Sequence, residues 1–232
     1  MNKTKTVLVL IDIQNESNFG VENVESVVGN AQALISACRD QGIPIIYTRQ
    51  INRADRVGLS RDEELNPDGT PVYYCSGTDA VEIISDIAPA SGDIVLDKYR
   101  WSAFYQTSLD LFLDGMGVED IIIGGLVSDG CLMTSAIDGY YRNYQIHLIK
   151  DMCATTCDGG HIGSILMMAN WLYGIQIYNA AEIIKRLKGQ TYRVWQSDRA
   201  APFHFTPENM RELYARLDDE ATLQGEQTNE NN

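Results

Sequence analysis

Histidine, cysteine and basic residues are all scarce in this chain, and each shortage closes off a class of protein. Its three histidines, His147, His161 and His204, lie far apart and share no ligand spacing, so a His-based metal centre is not expected. Its five cysteines are odd in number and form no CxxC pair, which fits reduced thiols in a cytosolic protein better than a disulfide framework or zinc cluster. Only 18 Lys and Arg face 32 Asp and Glu, for a net charge of -14. The clustered cations that phosphate backbones need are missing, so nucleic acid is not an expected partner. No long apolar run is present either. The first one starts at Val7, after the polar Met1 to Thr6, and meets Asp12, too early for a signal-peptide core or a membrane span. A cytoplasmic location without a membrane partner is the expectation. No apolar run is followed by the glycine spacing of a dinucleotide fold, which leaves that class of oxidoreductase without a signal.

What remains is an ordinary globular composition: 44% hydrophobic and 22% charged residues can build a buried core. Val7 to Ile13, Ile45 to Thr48, Ile94 to Leu96, Ile121 to Ile123, Ile146 to Ile149 and Ile175 to Tyr178 are short continuous apolar runs. They read as parallel strands buried on both faces. Between them lie stretches of helical spacing. Val24, Val27, Val28, Ala31, Leu34, Ile35 and Cys38 recur at three and four residues, and Gly42 and Pro44 then stop the helix. The alternation predicts one α/β domain over 1–188: a doubly wound, mainly parallel six-stranded sheet with helices on both faces. Residues 52–78, which hold Pro67, Asp68, Gly69 and Pro71, are long enough to be a functional loop. The remainder, 189–232, shows no strand signal. It reads as an extension with one helix from Thr206 through Leu217, Pro207 in its first turn, and a disordered acidic tail after Glu220.

Chemistry gathers at strand ends. Asp12 ends the first strand, Lys98 the third, and Cys131 follows the fourth behind Ser128, Asp129 and Gly130. Strand ends on one sheet edge converge on a single crevice, so acid, amine and thiol can meet there. A thiol has a reference pKa of about 8.5, and a helix N-terminus and a nearby ammonium both favour the thiolate. A carboxylate beside it can take the thiol proton and return it to a leaving amine. Singly, each residue has a plainer explanation: strand-end acids cap helices, an Asp-Lys pair is often only a salt bridge, and a cysteine at a helix start packs as a small hydrophobe.

Three segments carry a resemblance. Val9-Leu10-Ile11-Asp12-Ile13-Gln14-Asn15, Asp97-Lys98-Tyr99-Arg100-Trp101-Ser102-Ala103-Phe104 and Gly125-Leu126-Val127-Ser128-Asp129-Gly130-Cys131 resemble, in this order, the isochorismatase-like cysteine hydrolases. Asp151-Met152-Cys153-Ala154 is similar to the strand end that follows in that superfamily. Its amidohydrolase branch includes nicotinamidases, carbamoylsarcosine amidases and ureidoacrylate amidases. The resemblance spans Val7 to Ile184 and leaves Gln190 to Asn232 outside. It implies Asp12 as general base and acid, Lys98 as electrostatic partner and Cys131 as nucleophile. It also implies an oxyanion hole from the backbone amides of Val127 and Cys131, with a cis peptide between Leu126 and Val127, and homo-oligomeric assembly.

The pattern departs from nicotinamidases after the second strand. Arg49, Gln50, Ile51, Asn52 and Arg53 stand where those enzymes place Asp and His metal ligands, so no metal and no cofactor is expected. Ser17 replaces the family's aromatic after Asp-x-Gln-Asn, with Phe19 two residues on. Gln14 and Phe19 are candidate substrate contacts. Trp101, Phe104 and Tyr105 either pack in the core or line the pocket. Arg49, Arg53, Arg56 and Arg100 either hold a substrate carboxylate or are solvated surface. His161 reads as a cap or surface residue; Cys153 and Cys157, four residues apart, suggest a redox pair or ligands but no second cluster completes them, and Cys38 and Cys75 read as packing or incidental residues. The implied activity is hydrolysis of a small amide, ureide or carbamoyl compound through a thioester. Vinyl-ether hydrolysis of the isochorismatase type, which does without the cysteine, and a non-catalytic protein keeping the fold are the alternatives.

Overall fold

The computed structural model describes residues 1–225. Six parallel strands form the central sheet: β1 (Thr6–Ile11), β2 (Ile45–Gln50), β3 (Ile94–Lys98), β4 (Asp120–Leu126), β5 (Gln145–Ala154) and β6 (Gln176–Tyr178). Their spatial order, β3-β2-β1-β4-β5-β6, reverses direction between β1 and β4, the doubly wound arrangement expected. All six residues of β1 are buried, because it sits centrally and both of its faces are covered. Val7, Val9 and Ile11 join one core cluster while Leu8, Leu10 and Ile13 join the other. Burying one such aliphatic side chain stabilises by about 1.5–3 kcal/mol, which makes β1 the anchor of the fold.

On the first face pack α2 (Leu109–Gly115), α3 (Met133–Tyr141), α4 (Asp158–Trp171) and α6 (Met210–Asp219); on the second pack α1 (Val24–Asp40) and α5 (Ala180–Leu187). The apolar stripe of α1 is the one read from its spacing, from Val27 to Cys38. Gly42, at φ +68°, ends it in a left-handed cap: Gly42 N–H donates to Arg39 O at 3.0 Å and Ile43 N–H to Cys38 O at 2.9 Å.

β4 carries the strictest backbone requirement. Gly125 has φ +132°, and a Cβ there would lie 2.1 Å from Ile11 O. At this point the register against β5 shifts, and the chain leaves the sheet into the turn bearing Cys131.

The segment after 188 departs from the expectation of no strand. β7 (Tyr192–Val194) and β8 (Thr222–Gln224) form a small antiparallel sheet, and Trp195 bridges to Ile177. Each strand is only three residues long, too short for its alternation to register as a strand signal. Both exist because each finds the other's edge, a long-range pairing invisible to local reading. Trp195, Phe203, Leu213 and Leu217 are buried in the first-face core, so this segment is packed onto the domain. The helix begins at Met210, later than Thr206, since residues 207–209 form turns before it. β8 also lies where a disordered tail was expected; residues 226–232, the rest of that expectation, lie outside the described residues. Among the described residues no helix is long and apolar enough to cross a membrane.

Candidate active site

Asp12 follows β1 at φ +49°, a left-handed conformation that Asp tolerates better than most residues. This turns its carboxylate inward under β2. Thr48 Oγ1 donates to Asp12 Oδ1 at 2.6 Å and accepts from the Asp12 backbone N–H at 3.2 Å. Asp12 Oδ2 takes no aligned hydrogen bond, but lies 2.6 Å from Lys98 Nζ with both side chains essentially sealed from solvent. Lys98 ends β3 in register with Gln50 on β2, and its ammonium also donates to Gln50 Oε1 at 2.9 Å and Arg100 O at 3.1 Å. Burial pulls the Lys98 pKa down, yet Asp12 and Cys131 more than offset this and hold the ammonium above its ordinary value.

Cys131 lies in a π-helical turn, Ser128–Leu132, between β4 and α3, close enough for the charges of both Asp12 and Lys98 to act on its thiol. The Leu126–Val127 peptide before the turn is cis. Burial and the Asp12 charge push the thiol up to about 12, and Lys98 only partly opposes them. The shift runs against the thiolate, which the helix start and the amine alone favour. Desolvation and the carboxylate outweigh both.

Cys131 opens onto a cavity of about 270 Å³. Phe19 and Trp101 line it, as does Arg100, whose guanidinium donates to Gly58 O at 2.7 Å. Four other candidates lie elsewhere. Gln14 is buried beneath β2, donating to Gln50 O and Val81 O and accepting from Gln50 N, so it braces the strand end. Arg49 is paired with Asp97, its cross-strand neighbour on β3, and with Glu82 from the segment before β3. Phe104 is a core residue stacked on Tyr144 with the Arg142 guanidinium 4.6 Å from its ring centre. Tyr105 faces a shallow neighbouring groove that it shares with Trp101.

Several residues of the cavity wall carried no sequence signal as contacts. Gln50 and Asn52 stand on the wall in a relay: Lys98 donates to Gln50, Gln50 Nε2 to Asn52 Oδ1 at 3.2 Å, and Asn52 Nδ2 to Glu63 Oε1 at 3.0 Å. Gln50 was legible in principle, as the strand-end neighbour of Lys98. Glu63, Tyr73 and Tyr74 come from the 52–78 loop, whose path follows from tertiary contacts such as Asn52 N–H to Tyr74 O at 2.8 Å. Tyr74 stays a neutral phenol, its pKa raised by burial first and then by Asp12, Cys131 and Glu16. Two side readings change. His161 does not cap α4, a role taken by Cys157 Sγ accepting from Gly160 N–H at 3.4 Å; its ring turns to Ser128. Cys153 is buried and donates to Ile149 O at 3.0 Å.

Among the described residues, no group of three or more His, Cys, Asp and Glu side chains is arranged to hold a metal ion. The wall where nicotinamidases carry ligands presents the neutral amides of Gln50 and Asn52.

The uncharacterized isochorismatase family protein YaaI of Bacillus subtilis (strain 168) is 31% identical over 191 residues, covering 80% of this chain and 100% of that protein. The ureidoacrylate amidohydrolase RutB of Acinetobacter baylyi is 26% identical over 172 residues, covering 64% of this chain and 70% of the relative. The crystal structure of a cysteine hydrolase from Pseudomonas syringae pv. phaseolicola superposes with a TM-score of 0.71 at 26% identity, over 81% of this chain and 94% of that one. The isochorismatase domain matches residues 6–182, from the first strand to α5, and this chain belongs to the isochorismatase family of hydrolases.

Proposed function

We infer that the protein hydrolyses a small amide, ureide or carbamoyl compound through a thioester on Cys131. The observation that carries this reading is the sealed Asp12–Lys98 pair, whose two charges act on the thiol of Cys131, itself on the wall of the cavity. A thiol pushed up to about 12 reflects losing its proton to water beside an ionised Asp12. Passing that proton to Asp12 is another matter. The site then exchanges ammonium, carboxylate and thiol for ammonium, carboxylic acid and thiolate, so its net charge is unchanged and no extra charge is buried.

The thiolate sulfur attacks the carbonyl carbon, and the carbonyl oxygen becomes an oxyanion facing the Val127 and Cys131 amides. Asp12 gives its proton to the leaving nitrogen, the C–N bond breaks, and ammonia or an amine departs from the thioester. Asp12, again a carboxylate, takes a proton from water. The resulting hydroxide adds to the thioester carbonyl, the C–S bond breaks, and the proton returns to sulfur as the acid leaves. Lys98 stays charged throughout and keeps a counterion beside whichever group is anionic. The small cavity suits a small molecule, and Arg100 on its wall supplies donors for a substrate carboxylate. The likeness to RutB, a ureidoacrylate amidohydrolase, supports the C–N class of bond.

The test is an ammonia-release screen over carbamoyl, ureido and monoamide compounds, with Cys131→Ala as the blank. Release that depends on Cys131 is expected. Equal turnover by a folded Cys131→Ala protein would sink the covalent mechanism.

A further inference from the structure

Helix α6 reaches the turn bearing Cys131 through three polar groups. Ser128, which opens the turn, is fully buried, and its Oγ lies 2.9 Å from His161 Nδ1 on α4. His161 Nε2 lies 3.0 Å from Tyr214 Oη on α6, the two rings meeting edge to face with centroids 5.5 Å apart. Tyr214 stands outside residues 6–182, the stretch matched by the family domain. Its ring is itself caged: Lys150 Nζ sits 4.9 Å from the ring centre and is held by Asp218 at 3.0 Å, which also accepts from Asn179 at 2.8 Å.

A neutral imidazole has one donor and one acceptor, so either tautomer completes both links. Ser128 can donate to Nδ1 while Nε2–H donates to Tyr214, or Tyr214 can donate to Nε2 while Nδ1–H donates to Ser128. Burial, aided by Lys150, holds the imidazole pKa below its ordinary value against Asp158 and Asp129. The next residue of the turn is fastened from the same side. Asp129 Oδ1 accepts from Thr155 Oγ1 at 2.6 Å, and Gly160 is so close that a Cβ would lie 2.6 Å from Asp129 Oδ2.

We propose that Tyr214, through His161 and Ser128, is a positioning residue for Cys131, so that the C-terminal segment sets the pitch of the π-helical turn presenting the thiol. This rests on the reading of Cys131 as nucleophile. A π-helical turn is a rare and easily relaxed geometry, and Ser128 and Cys131 share this one. Rotation at Ser128 carries the thiol away from Asp12 and Lys98, and a misplacement of about 1 Å can cost on the order of 10²-fold in rate.

The experiment uses the full chain with Tyr214→Phe, which keeps the ring in its cage and removes only the hydroxyl. Three quantities are read per folded molecule: the rate of Cys131 alkylation by iodoacetamide, resolved from other thiols by peptide mass spectrometry, and kcat and KM on a substrate from the amide screen. Alkylation and kcat should fall about three- to tenfold, the scale of one lost hydrogen bond, with KM unchanged. Ser128→Ala should act alike, and the double variant should be no worse than the poorer single one. His161→Asn, whose amide can reach the Nδ1 position and hold Ser128, should recover rate relative to His161→Ala. If Tyr214→Phe folds poorly, Ser128→Ala reads the relay from its other end. Wild-type alkylation and kcat in the folded variants, or simple additivity, overturns the positioning role while Cys131-dependent turnover stands. Turnover that survives Cys131→Ala overturns the nucleophile reading and this proposal with it.

Discussion

Lys98 and Asp12 form an ion pair with Nζ 2.6 Å from Oδ2 and side-chain exposures of 0% and 1%. Taking both charges out of water offsets most of their attraction, so such a pair is a poor source of stability. Breaking it is costly nonetheless, because the survivor is left charged and buried.

Asp12→Asn therefore has two separable effects. Stability should drop by about 3–5 kcal/mol as Lys98 loses its counterion. Turnover per folded molecule should fall by about 10²- to 10⁴-fold, the usual worth of a general base. Pairing Asp12→Asn with Lys98→Met removes the stranded charge, so the melting temperature should recover while activity does not. Recovery of both would make the pair structural only.

Reactivity of Cys131 should follow from its burial. With the thiol pushed up to about 12, alkylation by iodoacetamide should be slow at neutral pH and climb with pH without levelling off below about pH 10. Lys98→Ala removes the side-chain charge that opposes this rise, so its alkylation at any given pH should be slower still. A plateau near pH 7 would show a resting thiolate.

Activity should survive metal chelators. Gln50 and Asn52 bond to each other, and their outer partners are Lys98 and Glu63, which leaves neutral amides on the wall where nicotinamidases carry ligands. EDTA treatment followed by a rate measurement checks this; loss of activity restored by zinc, iron or manganese is the contrary result.

Acid should destabilise the fold from about pH 6.5 downward. His147 on β5 is buried with Nε2 2.6 Å from Asp120 Oδ1, and burial, joined by Arg186, lowers its pKa despite Asp120. A lowered folded value means that the folded chain prefers the neutral ring. As pH falls below the unfolded value of about 6.5, the unfolded chain binds a proton that the folded one refuses, and stability is lost until the folded pKa is reached. His161 adds to the same slope. Melting curves from pH 7 to 5 should show the fall, and His147→Gln, which can still donate to Asp120, should flatten it.

The apolar runs and helical spacings alone determined the sheet and its helices, because a strand buried on both faces must be apolar throughout and α1 must carry one buried stripe. The catalytic candidates were legible for a related reason: Asp12, Lys98 and Cys131 stand at ends of strands, and parallel strands bring their carboxyl ends to one edge. What the sequence could not decide is how side chains resolve between equivalent local options. Arg49 and Arg100 look alike in sequence, yet one is spent on Asp97 and Glu82 and the other reaches the cavity. Phe104 and Trp101 are neighbours in one aromatic run, and only the turn after β3 sends the first to the core and the second to the pocket. Tertiary structure also decided the direction in which the Cys131 pKa moves, since desolvation depends on everything packed around the thiol. It likewise joined Tyr214 to Ser128 across α4, because three residues far apart in the chain become a relay only once α6 is folded onto the sheet.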